Sequence, residues 1–155
     1  MRKIVLFILM CLTINANAQQ MFAGIDVTGL SYNELCKRMT LKGYKLDLKT
    51  SDCSVYKKIP FESFPECQII INSLKEKISN IEVIIEDCKK NNKVHSNPFI
   101  WLSNKFESQY GKCQEEKNDG YYMLKSWSNT PFAKITLIQS SGISKSPTSI
   151  IYYPR

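Results

Sequence analysis

The strongest constraint on the fold is a repeated order of elements. Each half of the chain shows a helix with marked ends, a glycine that stops it, and three strand-like segments. The glycine stops, Gly43 and Gly111, lie 68 residues apart, and two equivalent prolines, Pro65 and Pro131, lie 66 apart. Glycine readily takes the left-handed conformation that ends a helix. The nearly constant offset predicts an internal duplication of one helix-plus-strands unit.

The first helix has signals at both ends. Ser31 and Glu34 match the capping box, in which two side chains satisfy free backbone donors. Leu30 and Leu35 match the flanking hydrophobic staple. An apolar face at helical spacing includes Cys36, so we predict that this thiol points into the core.

The second helix begins after a polar connection. Asn97 is a suitable N-cap, and Pro98 takes the first-turn position that proline tolerates. Apolar residues then recur at helical spacing until Gly111: Phe99, Leu102, Phe106 and Tyr110. The pattern predicts a helix that begins at Pro98 and stops at this glycine.

Strand patterns fill the rest of each half. In the first half "CQIIINS" and "SNIEVIIED" are two β-branched runs joined by "LKEK", which predicts a hairpin. "SVYKKIPFESF" precedes them, with Pro60 indicating an edge or a bulge. The second half offers "YYMLKSW", "AKITLIQS" and "TSIIYYP".

The predicted fold class is α+β, with tandem αβββ units forming one antiparallel sheet and two helices on one face. The units span about 22–90 and 91–155. Neither unit alone could bury its sheet face, so we expect one cooperative domain over residues 19–155.

Residues 1–18 have the parts of a cleavable signal peptide. Arg2 and Lys3 form the basic start, an apolar run covers Ile4–Leu12, and Ala16 and Ala18 give the Ala-x-Ala cleavage pattern. The run is shorter than the roughly 20 residues that span a bilayer, and no later segment is apolar enough to be a transmembrane helix. We therefore expect a soluble protein that is exported to the periplasm or secreted.

Charge argues against a nucleic-acid partner. The 155 residues carry 21 basic and 14 acidic side chains, a net +7, and loss of Arg2 and Lys3 leaves 19 against 14, or +5. Only Arg38 and Arg155 of those 19 are arginines, the side chain that clamps phosphates and reads guanine. The lysines form no long basic run, so we predict no nucleic-acid binding.

Cysteine usage leaves disulfide pairing open. Cleavage would leave five cysteines: Cys36, Cys53, Cys67, Cys88 and Cys113. An exported chain meets oxidising conditions, and an odd number leaves at least one thiol unpaired. Cys36 and Cys67 could pair across helix and sheet or stay buried thiols, while Cys88 and Cys113 flank the second helix and could form a bridge.

Neither a metal site nor an active site is predicted. The chain has one histidine, His95, and no Cys-x-x-Cys pair, so no structural metal or cofactor is expected. A Cys88–His95 nucleophile pair would need an activated thiol and an orienting group that the pattern does not supply, and a solvated turn histidine is favoured. Glu115, Glu116 and Asp119 indicate a charged loop, so we predict a protein that is not an enzyme.

Several motifs resemble a known group of proteins. "FAGIDVTG" before a capped helix, "LKGYKL", a helix ending in "YGK" and a final "IIYYP" are similar to small exported proteins of unknown function from Bacteroides-type bacteria. The resemblance implies export and the helix-plus-sheet repeat, and it implies no activity. In architecture alone, the tandem units also resemble the β-lactamase inhibitor protein fold, whose sheet binds a partner enzyme.

Aromatic residues near the C-terminus suggest a working surface. If Tyr122 and Leu124 face the helices, an apolar set lies on the uncovered sheet face: Tyr121, Trp127, Tyr153, Ile70, Ile84 and Ile138. Such a face is usually covered by a partner, a ligand or a second copy of the same chain. The alternative is the reverse register, in which these aromatics are core, because a shift of one residue exchanges the faces. An inhibitor or immunity-type protein that docks on one enzyme is the narrower alternative function.

Overall fold

The computed structural model describes residues 19–86, 91, 94–140 and 146–155. The helices are α1 (Tyr32–Leu41) and α2 (Pro98–Tyr110). The strands are β1 (Met21–Phe22), β2 (Ile25–Asp26), β3 (Leu46–Lys49), β4 (Cys53–Phe61), β5 (Phe64–Leu74), β6 (Lys77–Ile85), β7 (Glu115–Asn118), β8 (Tyr122–Trp127), β9 (Lys134–Ser140) and β10 (Thr148–Tyr153).

Eight strands of the described chain form one antiparallel sheet, in the order β3-β4-β5-β6-β10-β9-β8-β7. The two halves meet where β6 pairs with β10, with Val83 opposite Ile150. The order of strands in one half mirrors that in the other. The predicted α+β fold with a large antiparallel sheet is confirmed.

Each half contributes four strands to the sheet, where the sequence predicted three. The additional strands are the outer ones, β3 and β7. All four residues of β3 are exposed, and β7 has the sequence "EEKN". β7 has no apolar residue, so it lacks the alternation by which strands are detected. In β3, Leu46 and Leu48 alternate with polar residues, but the run is only four residues long and both leucines are exposed. The prediction that Glu115 and Glu116 lie in a loop was wrong, since both belong to β7.

Both helices pack on the same face of the sheet. Cross-strand pairing places one row of core residues on that face: Tyr56, Ile69, Val83, Ile150 and Leu137. The Tyr56 hydroxyl donates to the carbonyl oxygen of Cys36 in α1 at 3.3 Å. Lys125, opposite Leu137, places its Nζ 2.8 Å from Glu107 of α2. The opposite face carries neither helix, and we call it the open face.

The ends of α1 follow from its sequence. The side chain of Ser31 accepts a hydrogen bond from the backbone N–H of Glu34 at 3.3 Å. At the other end Gly43 has φ +84°, and the N–H of Tyr44 donates to the carbonyl of Met39 at 3.2 Å. These bonds satisfy backbone groups that a helix end leaves free.

The ends of α2 agree with the prediction as well. Asn97 accepts a hydrogen bond from the backbone N–H of Ile100 at 3.1 Å, and Pro98 is the first helical residue. Gly111 follows the last turn with φ +80°, and its N–H donates to the carbonyl of Glu107 at 3.0 Å. The second helix is therefore capped and stopped by the residues that the sequence indicated.

The β1–β2 hairpin fills the core on the helix side. Phe22 is 1% exposed, and Ile25 and Val27 are also buried. The Phe22 ring lies 5.6 Å from that of Phe61 in the first half and 5.4 Å from that of Tyr152 in the second. The "FAGIDVTG" segment therefore joins the two halves through aromatic packing.

Irregular positions in β4 agree with the expectation from Pro60. The register with β5 shifts on both sides of Ile59, and Lys58 has φ +56°. The pairing with β3 ends at Tyr56, so this part of β4 has a free edge. Proline has no backbone N–H to donate to a neighbouring strand. An unpaired, bulged segment makes no such hydrogen bond, so it tolerates Pro60.

Candidate functional site

The open face carries two rows of side chains that run across the central strands. In one row the pairing is Val55 with Ile70, Ile70 with Glu82, Glu82 with Ile151, and Ile151 with Thr136. In the other row it is Gln68 with Ile84, Ile84 with Ser149, Ser149 with Ile138, and Ile138 with Leu124. Apolar side chains therefore surround Glu82 and Ser149 on a face that no described helix covers.

Four of the six residues predicted for this face lie on it: Ile70, Ile84, Ile138 and Tyr153. Each is partly exposed. Tyr121 lies before β8, in the turn, and is 82% exposed, so it belongs to neither face. The residues that sequence reasoning left out are Val55, Leu124 and Ile151. The alternation of faces along "IIYY" places Ile151 on the same side as Tyr153.

Trp127 lies on the opposite face, which corrects its predicted place. It pairs with the core residue Ile135 and is fully buried. Its ring lies 5.3 Å from that of Phe106 in α2, edge to face, and its Nε1–H donates to the carbonyl of Gly111 at 3.1 Å. Because Leu124 is three residues from Trp127 on the same strand, the two side chains must lie on opposite faces. Leu124 therefore takes the open face.

Glu82 is the charged residue in the middle of the open face. It lies on β6, an interior strand, directly between Ile70 and Ile151. Its carboxylate has no hydrogen bond or ion pair with any described residue. A molecule that covers this surface removes water from the Glu82 carboxylate. Burying a charge without a partner is costly, so a cation on that molecule would stabilise the complex.

The acidic residues near the outer edge are paired. Glu115 lies 3.2 Å from Lys134 and 3.4 Å from Lys117, and these two lysines lower the pKa of its carboxyl. Glu116 lies 3.7 Å from Lys125. These neighbouring carboxylates bind lysines and do not face each other across a cleft, so they lack the arrangement of a hydrolytic pair.

Asp119 has a local structural role. Its carboxylate accepts hydrogen bonds from the backbone N–H groups of Tyr121 at 2.9 Å and Tyr122 at 3.1 Å, and these bonds lower its pKa. An aspartate that binds the backbone two and three residues ahead forms an Asx turn. Asp119 therefore shapes the β7–β8 turn.

His95 is packed against aromatic rings, where the sequence suggested a solvated turn. Its ring stacks on that of Trp101 with centroids 4.4 Å apart and meets Phe64 edge to face. Its Nε2 lies 2.9 Å from the Ser63 hydroxyl. A catalytic pair also needs a group that orients the imidazole. The neighbours of the His95 ring are Phe64, Trp101 and the Ser63 hydroxyl, and no described carboxylate or thiol is bonded to it.

No disulfide joins the candidate cysteines that the structure describes, which are Cys36, Cys67 and Cys113. Cys36, Cys53 and Cys113 are free thiols, and Cys88 lies outside the described residues. Cys36 Sγ lies 3.4 Å from the Ser54 hydroxyl under α1. Cys67 pairs with Ile59, farther along the β4–β5 ladder. The two core cysteines thus have separate surroundings.

Three further findings bear on function. No helix in the described part of the chain is long and apolar enough to cross a membrane. Among the same residues, no three His, Cys, Asp or Glu side chains are grouped so as to hold a metal ion. Comparison with family models, curated proteins and solved structures gave no match. Any assignment of function must therefore rest on the surfaces and cavities of this chain.

Proposed function

We propose that this is an exported, non-enzymatic protein that binds another protein through the open face. The observation that carries the proposal is the Glu82 carboxylate, which no described residue binds, between two isoleucines on a sheet face that no described helix covers. Apolar contact supplies the free energy of such an interface, and a central charge selects its partner.

The chemistry of the partner follows from this row. Isoleucines on either side of Glu82 require a complementary apolar patch. The free carboxylate requires a lysine or an arginine at the centre of that patch, because a charge-assisted hydrogen bond offsets the desolvation of both groups. An arginine, which can bind a carboxylate through two parallel hydrogen bonds, fits best.

Glu82 also disfavours a second copy as the occupant. Symmetric dimers use the same patch on both subunits. The strand pair β6–β10 lies at the middle of the eight-stranded sheet, so a two-fold axis there would bring two Glu82 carboxylates near each other. Two like charges in a desolvated interface repel, so a different protein is the better partner.

An inhibitor that docks on one enzyme is the second candidate. It is favoured by the placement of the open face on paired strands, which hold the side chains rigidly before binding. A preorganised surface loses little conformational entropy on association and suits a tight inhibitor. This candidate requires that the captured partner be an enzyme and that it lose activity in proportion to bound protein.

The test is affinity capture with the immobilised protein and matched variants. We expect one partner to be retained by the wild type and lost by Glu82→Lys and by Ile151→Asp. Glu34→Lys changes an exposed residue of α1 on the other side of the molecule and should retain it. Capture that survives both open-face substitutions would contradict the proposal. Sedimentation velocity tests for self-association. A wild-type dimer that is lost in Glu82→Lys would show that a second copy binds the open face.

A further inference from the structure

A separate cavity lies on the helix side of the sheet, away from the open face. It has a volume of about 430 Å³ and opens between the β1–β2 hairpin, the end of β4, the last turn of α2 and the end of β10. Its wall combines polar groups with aromatic side chains, among them Phe22, Tyr44, Phe61, Tyr110 and Tyr152. Small-molecule sites have volumes of about 300–1,000 Å³, so this cavity can hold a compact ligand.

Tyr152 is held rigidly in this wall. Its ring lies 5.4 Å from that of Phe22, 6.2 Å from that of Phe61 and 5.0 Å from that of Phe132. The residue is 6% exposed, so this part of the wall is formed by an aromatic ring that its neighbours hold in place.

Glu62 gives the cavity its charge. It follows β4 in a turn with φ +54°, and it is the charged side chain among the described residues of the wall. Burial first, and then the charge of Glu62, raise the pKa of Tyr152 and of Tyr110. Both phenols therefore stay neutral near pH 7 and lie in the negative field of this carboxylate.

One oxygen of the Glu62 carboxylate is available to a ligand. Lys105 contacts Oε2, and its ammonium also lies 5.5 Å from the centre of the Trp101 ring. No described group is bonded to Oε1 of the same carboxylate. Lys105 itself is not part of the cavity wall. The cavity thus combines aromatic rings with an acceptor that is only half used.

We propose that this cavity binds a small organic cation, a primary or quaternary ammonium on a compact apolar body. Aromatic faces attract cations through their quadrupoles, and a carboxylate adds direct Coulomb attraction. An anion would be repelled by Glu62. A neutral ligand could fill the space but would leave the second carboxylate oxygen without a partner. This site is independent of the function proposed for the open face.

Calorimetry with 2-phenylethylammonium, 2-phenylethanol and 3-phenylpropionate tests the proposal on the purified protein. These probes share an aromatic body and differ in charge. We expect the ammonium to bind at least about tenfold more tightly than the alcohol, since one desolvated cation–π and carboxylate contact contributes that much, and the propionate not to bind. Equal affinity for the ammonium and the alcohol, or no binding of the ammonium, would overturn the proposal.

Substitutions locate the binding. Glu62→Gln keeps the shape of the side chain and should weaken ammonium binding about tenfold or more, with little change for the alcohol. Lys105→Met frees the other carboxylate oxygen and should strengthen ammonium binding, a gain that a misfolded variant could not give. The control Glu34→Gln should change nothing. Ammonium binding that is unchanged in both Glu62→Gln and Lys105→Met would show that the cation lies elsewhere.

Discussion

The indole N–H of Trp127 donates a hydrogen bond to the carbonyl oxygen of Gly111, 3.1 Å away. Gly111 stops α2 and Trp127 ends β8, so the bond joins the end of the second helix to the strand beneath it. The indole is fully buried against Phe106. This contact fixes which side of β8 faces the helices, and thereby which side remains open.

The first prediction concerns this bond. Trp127→Ala should lower the free energy of unfolding by about 3–5 kcal/mol, because it leaves a large cavity. Trp127→Phe keeps an aromatic ring and leaves the Gly111 carbonyl unpaired, so its cost should be about 1–3 kcal/mol. Urea unfolding measures both. Tyr121→Ala, at a residue that is 82% exposed, is the control and should cost under about 0.5 kcal/mol. Equal effects at Tyr121 and Trp127 would contradict the assignment of faces.

The second prediction concerns the cap of α2. Asn97→Ala removes the side-chain oxygen that accepts the N–H of Ile100, and should destabilise the protein by about 1 kcal/mol. Asn97→Asp keeps an acceptor and should retain most of the stability. Ser96→Ala, at the preceding exposed residue, is the matched control. Thermal unfolding compares the three variants, and identical melting of Asn97→Ala and Ser96→Ala would rule out the cap.

The third prediction uses the turn between β5 and β6. Lys75 and Glu76 have φ values of +52° and +65°, in the left-handed region that disfavours both side chains. Lys75→Asn with Glu76→Gly supplies the residues that a type I′ turn prefers and should stabilise the protein by about 1 kcal/mol. Denaturant midpoints measure the gain. Asn80→Gly, within β6, should destabilise the protein by about 1–2 kcal/mol, because it adds backbone freedom and removes the acceptor of the Asn72 side-chain hydrogen bond. A loss of stability from the turn substitution would contradict this turn geometry.

The fourth prediction concerns alkaline pH. Burial and the charge of Glu62 raise the pKa of the Tyr152 hydroxyl above its ordinary value of 10.0. Below pH 10 both folded and unfolded states hold the proton, so stability is fully present. Above pH 10 the unfolded state ionises first, and stability falls as the pH rises toward the folded pKa.

Tyr152→Phe isolates this effect. Because the hydroxyl has no described partner, we expect little change or a small gain in stability at pH 7. Above pH 10 the variant should lose less stability than the wild type. Circular dichroism over a pH series gives the comparison, with Tyr121→Phe as the exposed control. A variant with the same alkaline loss as wild type would show that Tyr152 is not buried in neutral form.

Much of the fold could be predicted because its signals are local. A capping box, a glycine stop and two β-branched runs act within a few residues, and α1, α2 and the β5–β6 hairpin lie where they indicated. The outer strand β7 carries no such signal, because it has no apolar residue, and β3 offers only the short alternation of Leu46 and Leu48 with polar residues. The β1–β2 hairpin was also missed as a core element, since Phe22 is buried by residues from distant strands.

The candidate surface was predicted only in part, because it depends on register. The alternation in β5, β6, β9 and β10 placed Ile70, Ile84, Ile138 and Tyr153 together. Trp127 was assigned to the wrong side, since its face is decided by pairing with Ile135 across the sheet. The cavity could not be foreseen, because Glu62 and Tyr152 come together only in the folded chain.

Site-specific photo-crosslinking tests the central claim most directly. A benzophenone amino acid replaces Ile84 on the open face or Ile100, which is 55% exposed on α2, and the protein is irradiated in its native cells. A bound partner predicts one discrete adduct from position 84 and none from position 100. No adduct at position 84, or the same adducts from both positions, would contradict a binding role for the open face.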